Sequence, residues 1–247
     1  MACASFRFYA ELNDFLPSHR KEMKIAHIFT ERASIKDMIE SLGIPHPEVD
    51  GIEVNGISVD FSYIVQDGDI INVYPISTTD RGTSTISVRP KPLTTIRFVL
   101  DIHLGKLVTS LRLLGFDTLY QNDYEDKELA HISSTQNRIL LTRDRGLLMR
   151  SIVSYGYYVR NTDPHKQIVE VMQRFDLYKI ISPFQRCLRC NGLLESVTKE
   201  LIVNQLPETV KLYNHEFHRC QNCNQIYWKG SHYERLQQFL DLVVGNK

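Results

Sequence analysis

No stretch of this chain approaches the roughly 18 consecutive apolar residues that a membrane-spanning helix needs, so a helical membrane anchor is not expected. The opening residues, MACASFRFYAELND, lack a basic start followed by an apolar block. No secretory signal is expected there, and the cytoplasm is the expected location. Net charge is absent too, with 29 Lys/Arg against 29 Asp/Glu. Its distribution is uneven: residues 1–95 carry 9 Lys/Arg and 13 Asp/Glu, leaving 20 and 16 for residues 96–247. That imbalance permits nucleic-acid binding by the C-terminal part without demonstrating it. Cysteine is scarce at five residues. Four of them fall into two close pairs, which without a secretion signal read as metal ligands before disulfides.

What is present is the composition of a folded protein, 43% hydrophobic and 10% aromatic over 247 residues. That length suits about two domains of ordinary size. The pattern divides into residues 1–76, a Thr/Ser/Pro-rich linker over 77–94, a strand–helix series over 95–182, and a cysteine-bearing segment over 183–247. In the first, SFRFYAEL and KIAHIFT read as strands. Ser34 with Asp37 three residues on is a capping pair for a short helix that Gly43 stops, and Asn55-Gly56 marks a hairpin. Strand, strand, helix and further strands suit a small α+β fold. Residues 95–182 alternate IRFVLD, a leucine-spaced helix ending at Gly115, FDTLY, DKELAHISSTQ, RILLT, DRGLLMRSIVSYG, YYVR and DPHKQIVEVMQRF. Such a βαβ series predicts an α/β domain with a mostly parallel sheet and helices on both faces.

In open parallel sheets, ligands sit outside the carboxyl ends of the strands. Asp101 ends the first strand of the series, and Asp144 lies two residues past the third. Asp126 and Glu128 open the helix after the second strand, and Asp163 follows the fourth. Carboxylates repel one another unless something cationic joins them. An all-oxygen set suits Mg²⁺ or Mn²⁺, which activates water and neutralises charge on a phosphate. Arg143 and Arg145 flank Asp144 and suit phosphates. The competing explanation is structural: an acid at a helix start also serves as a cap, and Asp126 and Asp144 both fit that description. Asp101 has no such local reason. His103 reads as a ligand or as an ordinary hydrogen-bonded histidine.

Cys187 and Cys190 form one CxxC, Cys220 and Cys223 another, with 29 residues between the pairs. Four thiolates suit tetrahedral Zn²⁺ with no open position, a structural site. Thiol redox chemistry needs only one such pair. His218 and His232 lie nearby as further possible ligands. Around the ribbon, Arg186, Arg189, Arg235 and Lys229 with Tyr227 and Trp228 offer charge and stacking faces for RNA. The YWKGSH stretch serves equally as a surface or as a packing element.

Two resemblances sharpen these expectations. ASIKDMIESLGIP, EVNG and VQDGDIINVYP resemble the ubiquitin-like β-grasp domains, and specifically the sulfur carriers of thiamine and molybdopterin synthesis. Those carriers end in a free Gly-Gly, whereas here VYPIS runs on into TTDRGTSTISVRPKPL, so a retained binding module with an unknown protein partner is expected rather than sulfur transfer. DIHLGKLVTSLRLLGFDTLYQNDYEDKELA, RILLTRDRGLL, PFQRCLRCNG and IYWKGSHYERL, spanning about Ile96 to Leu236, resemble the Mut-seven C-terminal RNase family, a PIN-like nuclease domain joined to a zinc ribbon. That resemblance implies catalytic acids at Asp101, Asp126 and Asp144, with Glu128 or Asp123 as substitutes for Asp126 and Asp163 near the place of a fourth. It implies hydrolysis of RNA by metal-activated water, and RNA as partner (tRNA, rRNA or the ribosome). The substrate contacts expected from charge and stacking faces are Arg143, Arg145, Trp228 and Lys229. The rival expectation is an RNA- or ribosome-binding protein that uses the nuclease fold as a platform.

Overall fold

The computed structural model describes residues 1–76 and 86–245, and the side chains of all of these except residues 231, 232 and 244. The chain forms two compact units, Met1–Thr94 with Glu125–Tyr158, and Thr95–Tyr124 with Val159–Lys247.

The first unit opens with a β-grasp sheet. Its strands are β1 (Ala2–Phe8), β2 (Ile25–Phe29), β3 (Val49–Val54), β4 (Ile57–Ser58) and β5 (Ile70–Pro75), in the spatial order β2-β1-β5-β3-β4. β1 runs parallel to β5 and antiparallel to β2. Period-two alternation turns Phe6, Phe8, Ile52, Val54, Ile71 and Val73 inward. Helix α1 (Ile35–Ser41) covers that face with Ile35, Met38 and Ile39. It begins where expected: the Asp37 amide donates to Ser34 Oγ, which in turn donates to the Asp37 carboxylate. The β3–β4 hairpin turns at Asn55 and Gly56 with φ of 53° and 81°, the left-handed pair that Asn-Gly adopts readily. Residues 77–85 of the expected linker lie outside the described residues. Beyond them the chain rejoins the sheet, where the Val88 amide donates to the Asp50 carbonyl and Ser87 Oγ to the Asp50 carboxylate.

The same unit holds α3 (Asp126–Gln136), β8 (Ile139–Thr142), α4 (Arg145–Leu148) and β9 (Gly156–Tyr158), with β8 parallel to β9. All four residues of β8 are buried. Helix α4 is far shorter than the sequence pattern suggests. Ser151, Ile152, Val153 and Ser154 are poor helix formers, and the chain turns at Val153, whose amide donates to the Arg150 carbonyl.

This half is bolted to the β-grasp module by polar groups. Glu48 is 1% exposed and accepts from the Tyr158 amide at 2.6 Å. His46, 8% exposed, faces the Val153 carbonyl at 2.7 Å through Nε2 and Glu40 at 2.6 Å through Nδ1. Arg145 donates to the Phe15 carbonyl, and the Phe15 ring meets Tyr158 edge-on. Glu48→Ala strands a part-buried amide, so a loss of about 1–3 kcal/mol is expected. Urea denaturation reads the loss, and hydrogen exchange should quicken first at the Tyr158 amide.

In the second unit, β6 (Arg97–Leu100) pairs in parallel with β7 (Asp117–Leu119) across α2 (Gly105–Leu113). α5 (Pro164–Arg174) has Pro164 in its first turn and buries Ile168, Val171 and Met172. The ribbon follows as an antiparallel sheet of β10 (Leu194–Val197), β11 (Phe217–Cys220) and β12 (Ile226–Trp228), and α7 (Ser231–Gly245) comes after β12. Between β10 and β11 lie short turns and α6 (Glu208–Tyr213), an insertion that the cysteine spacing alone did not reveal. Its Ile202 and Leu206 join Val197, Phe217 and Ile226 in a very small core.

Gly115 ends α2 at φ 95°. A Cβ there would lie 2.2 Å from the Ser182 carbonyl oxygen, which approaches because the Ser182 amide donates to the Leu114 carbonyl. Gly115→Ala meets both the backbone strain and the clash, so a loss of about 2–4 kcal/mol in denaturant unfolding is expected.

Candidate functional sites: strand-end acids and a four-cysteine centre

Asp101 stands at the carboxyl end of β6 and is 6% exposed. It makes no side-chain cap to the 3-10 turn that follows. Burying a carboxylate is unfavourable unless it is paired or hydrogen-bonded, so its place here is not that of an ordinary surface acid. Asp144, exposed just past β8, caps α4 by accepting from the Gly146 and Leu147 amides. Asp163 caps α5 likewise from the His165 and Lys166 amides. In both cases the cap uses Oδ1 alone, which leaves Oδ2 for a cation. Asp126 and Glu128 lie exposed in the first turn of α3, with Arg150 3.8 Å from Asp126. Asp101 and Asp163 belong to one compact unit, and Asp126, Glu128 and Asp144 to the other.

Among the flanking cations, Arg145 is held by the Phe15 carbonyl and so has a structural task. The guanidinium of Arg143 lies 6.0 Å from the centre of the Tyr158 ring. His103 is exposed.

The cysteines converge. Cys187 and Cys190 sit in the turn before β10, Cys220 ends β11, and Cys223 lies in the turn before β12. Their four Sγ atoms lie within 4.8 Å of one another. Among the described residues they are the one group of three or more His, Cys, Asp or Glu side chains gathered in this way. The pairs Cys187–Cys223 and Cys190–Cys220 are 3.6 and 3.4 Å apart. A tetrahedral Zn²⁺ with Zn–S near 2.3 Å needs sulfurs about 3.8 Å apart, so the quartet can hold a zinc ion. Backbone amides support the sulfurs, Cys190 N on Cys187 and Asn222 N on Cys220. Gly192 permits the fit, since a Cβ there would lie 2.9 Å from Cys220 Sγ. Burial pushes the Cys187 thiol up, but hydrogen bonds from the Tyr227 hydroxyl and from backbone amides outweigh it and bring the thiol down to about 7. At Cys190 burial dominates and pushes the thiol up to about 12. Four thiols so close cannot ionise independently, and a cation among them resolves the conflict. His218 is exposed on β11, and the His232 side chain lies outside the described residues.

Sequence reasoning missed the long-range contacts that anchor this centre. Arg112, on α2 and 5% exposed, donates to the carbonyls of Leu188 and Arg189 inside the first knuckle and to the Thr118 carbonyl. Burial lowers its pKa, while Cys187 and Cys190 act in the opposite sense. A guanidinium beside four thiolates offsets the net negative charge of a Zn(Cys)₄ group. Asn191, at φ 70°, accepts from the Thr118 amide and donates to Asp117. Arg186 reaches the Gly115 and Asn191 carbonyls. The only sequence signal for this was an arginine set among the apolar positions of a helix.

Trp228 and Lys229 follow from β12. Trp228 is half-buried against the ribbon core, and Lys229 is exposed and paired with Glu216.

No curated protein and no solved structure matches the chain. Residues 1–81 match the Mut7-C ubiquitin model, and residues 96–240 match the Mut7-C RNAse domain model. That second match covers more than half of the chain, which therefore belongs to the Mut7-C RNAse domain family.

Proposed function

We propose that the chain is a metal-dependent ribonuclease whose Asp101, Asp126 and Asp144 carboxylates hold Mg²⁺ or Mn²⁺, with Glu128 as the substitute for Asp126 and Asp163 near the place of a fourth acid. The observation that carries this reading is Asp101, a nearly buried carboxylate at the end of a parallel strand in a chain of an RNase family. The donors are all oxygen, which fits a hard divalent cation. When bound, such a metal would lower the pKa of a water and neutralise charge on the scissile phosphate. Asp101 would hold its orientation through its buried setting, and Asp144 through the cap that fixes its Oδ1. Arg143 supplies a guanidinium beside Asp144 for a phosphate oxygen. The four cysteines hold a structural zinc that stands in for a large core in the ribbon, and the β-grasp module binds a protein partner. We place the whole in the cytoplasm.

A second reading, an RNA- or ribosome-binding platform without strong cleavage, is favoured by Asp144 and Asp163, whose positions local capping already explains. Cleavage of end-labelled single-stranded and hairpin RNA with Mg²⁺, Mn²⁺ or EDTA separates the two. Metal-dependent cutting that is lost in Asp144→Asn is the expected result. RNA binding without cutting, in wild type and variant alike, would establish the platform.

A further inference from the structure

Beside the cysteine centre, wholly within the second unit, lies a pocket with about 720 Å³ of empty space, part of it open to solvent. Its walls combine two kinds of surface. Phe184 and Tyr233 stack with ring centres 4.5 Å apart, and Tyr227 and Trp228 bring two more aromatic rings from β12. Leu113, Leu188, Leu194 and Leu236 add aliphatic surface. On the polar side stand His218, Arg186 and the Glu216–Lys229 ion pair. Arg186 is committed to the Gly115 and Asn191 carbonyls, whereas the His218 imidazole makes no hydrogen bond among the described residues.

We propose that this pocket takes a single unpaired nucleobase of RNA. An apolar side chain would satisfy the leucines but desolvate the His218 imidazole without giving it a partner, which is unfavourable. A base is flat, stacks on aromatic rings irrespective of sequence, and carries donors and acceptors along its edge. The imidazole offers one donor and one acceptor to that edge. Lys229, on the open side, suits the adjoining phosphate, and residues 96–247 carry the chain's excess of Lys/Arg. The site is pre-formed: the Tyr227 hydroxyl is held between Cys187 Sγ and the Leu188 amide, each at 3.1 Å. RNA as the ligand class rests on the ribonuclease reading. The pocket would give that enzyme a hold on single-stranded RNA that does not involve its acids.

Trp228 is the chain's only tryptophan, so its emission reports on this pocket alone. Full-length Asp144→Asn protein, zinc retained and no Mg²⁺ or Mn²⁺ added, would be titrated with a single-stranded RNA decamer, a blunt RNA duplex and a Leu/Phe-rich decapeptide. Saturable quenching by the single strand, weak with the duplex, is expected. The added substitutions Tyr233→Leu and His218→Ala should each weaken binding about 10-fold, as loss of one stacking or edge contact does, with circular dichroism confirming the fold. Equal quenching by the duplex, unchanged affinity in both variants, or a response to the peptide alone would each overturn the proposal. Cleavage by wild type is scored separately. A chain that cuts RNA without base-dependent quenching removes the pocket and keeps the nuclease; quenching without cutting does the reverse.

Discussion

Cys220→Ser is expected to release zinc and unfold the ribbon, the largest change in stability that any single substitution here should produce. Wild-type protein should carry about one tightly bound Zn²⁺ per chain by elemental analysis. The reason is the size of what remains. The ribbon's own core is Val197, Ile202, Leu206, Phe217 and Ile226, with Val210 and Trp228 packed at its edge. Burying a side chain of this kind contributes about 1.5–3 kcal/mol, while each ordered residue costs about 1–2 kcal/mol of backbone entropy. So small a core cannot order three strands and their turns, whereas a structural zinc contributes about 10–16 kcal/mol in small domains. Serine keeps the shape of the side chain but supplies a far weaker ligand, so loss of shape is not the cause tested. Near-stoichiometric chelation of wild type should reproduce the variant's circular dichroism. Arg112→Met should weaken zinc without touching a ligand, because Arg112 ties the Leu188 and Arg189 carbonyls to α2. A folded, protease-resistant ribbon free of zinc would refute the assignment.

The sequence made the local signals legible and hid the long-range ones. Asn55-Gly56 requires left-handed backbone and turns as such. The cap from Ser34 to Asp37 and the span of α3 follow from residues within a turn of one another. The CxxC pairs are legible because thiolate pairs at that spacing have few other uses in such a chain. Helix α4 was over-read, since apolar residues continue past Leu148 while the backbone must turn into β9. The contacts of Arg112 and Asn191 were missed for a different reason. Their partners are the Leu188 carbonyl and the Thr118 amide, 76 and 73 residues away in sequence, and no periodicity encodes such a pair. The same holds for Glu48 and Tyr158, which are 110 residues apart. Arg145 carries a contact of the same hidden kind: its guanidinium donates to the Phe15 carbonyl, 130 residues away in sequence.

Asp144→Asn and Asp163→Asn should look alike to a denaturant, and cleavage of RNA then tells a metal ligand from a cap. Each native aspartate caps a helix through Oδ1, accepting from two successive amides. Asparagine caps a helix about as well as aspartate, and losing the charge at a helix start costs about 0.3–1 kcal/mol. Both variants should therefore unfold within about 1 kcal/mol of wild type. If Asp144 also holds the catalytic cation, its variant loses a ligand whose contribution at the metal is several kcal/mol, and cleavage should fall about 10²–10³-fold. Raising Mn²⁺ should recover part of that loss, because a weakened metal site responds to concentration and a lost cap does not. Asp101→Asn should fall at least as far, and its burial makes a stability measurement essential beside it. Asp163→Asn is the internal control. Unchanged cleavage would leave Asp163 a cap and no more, and a matching fall rescued by Mn²⁺ would make it a fourth ligand. Equal, unrescued falls in both variants would mean that capping alone was measured, and the acids would then lose their claim to the metal.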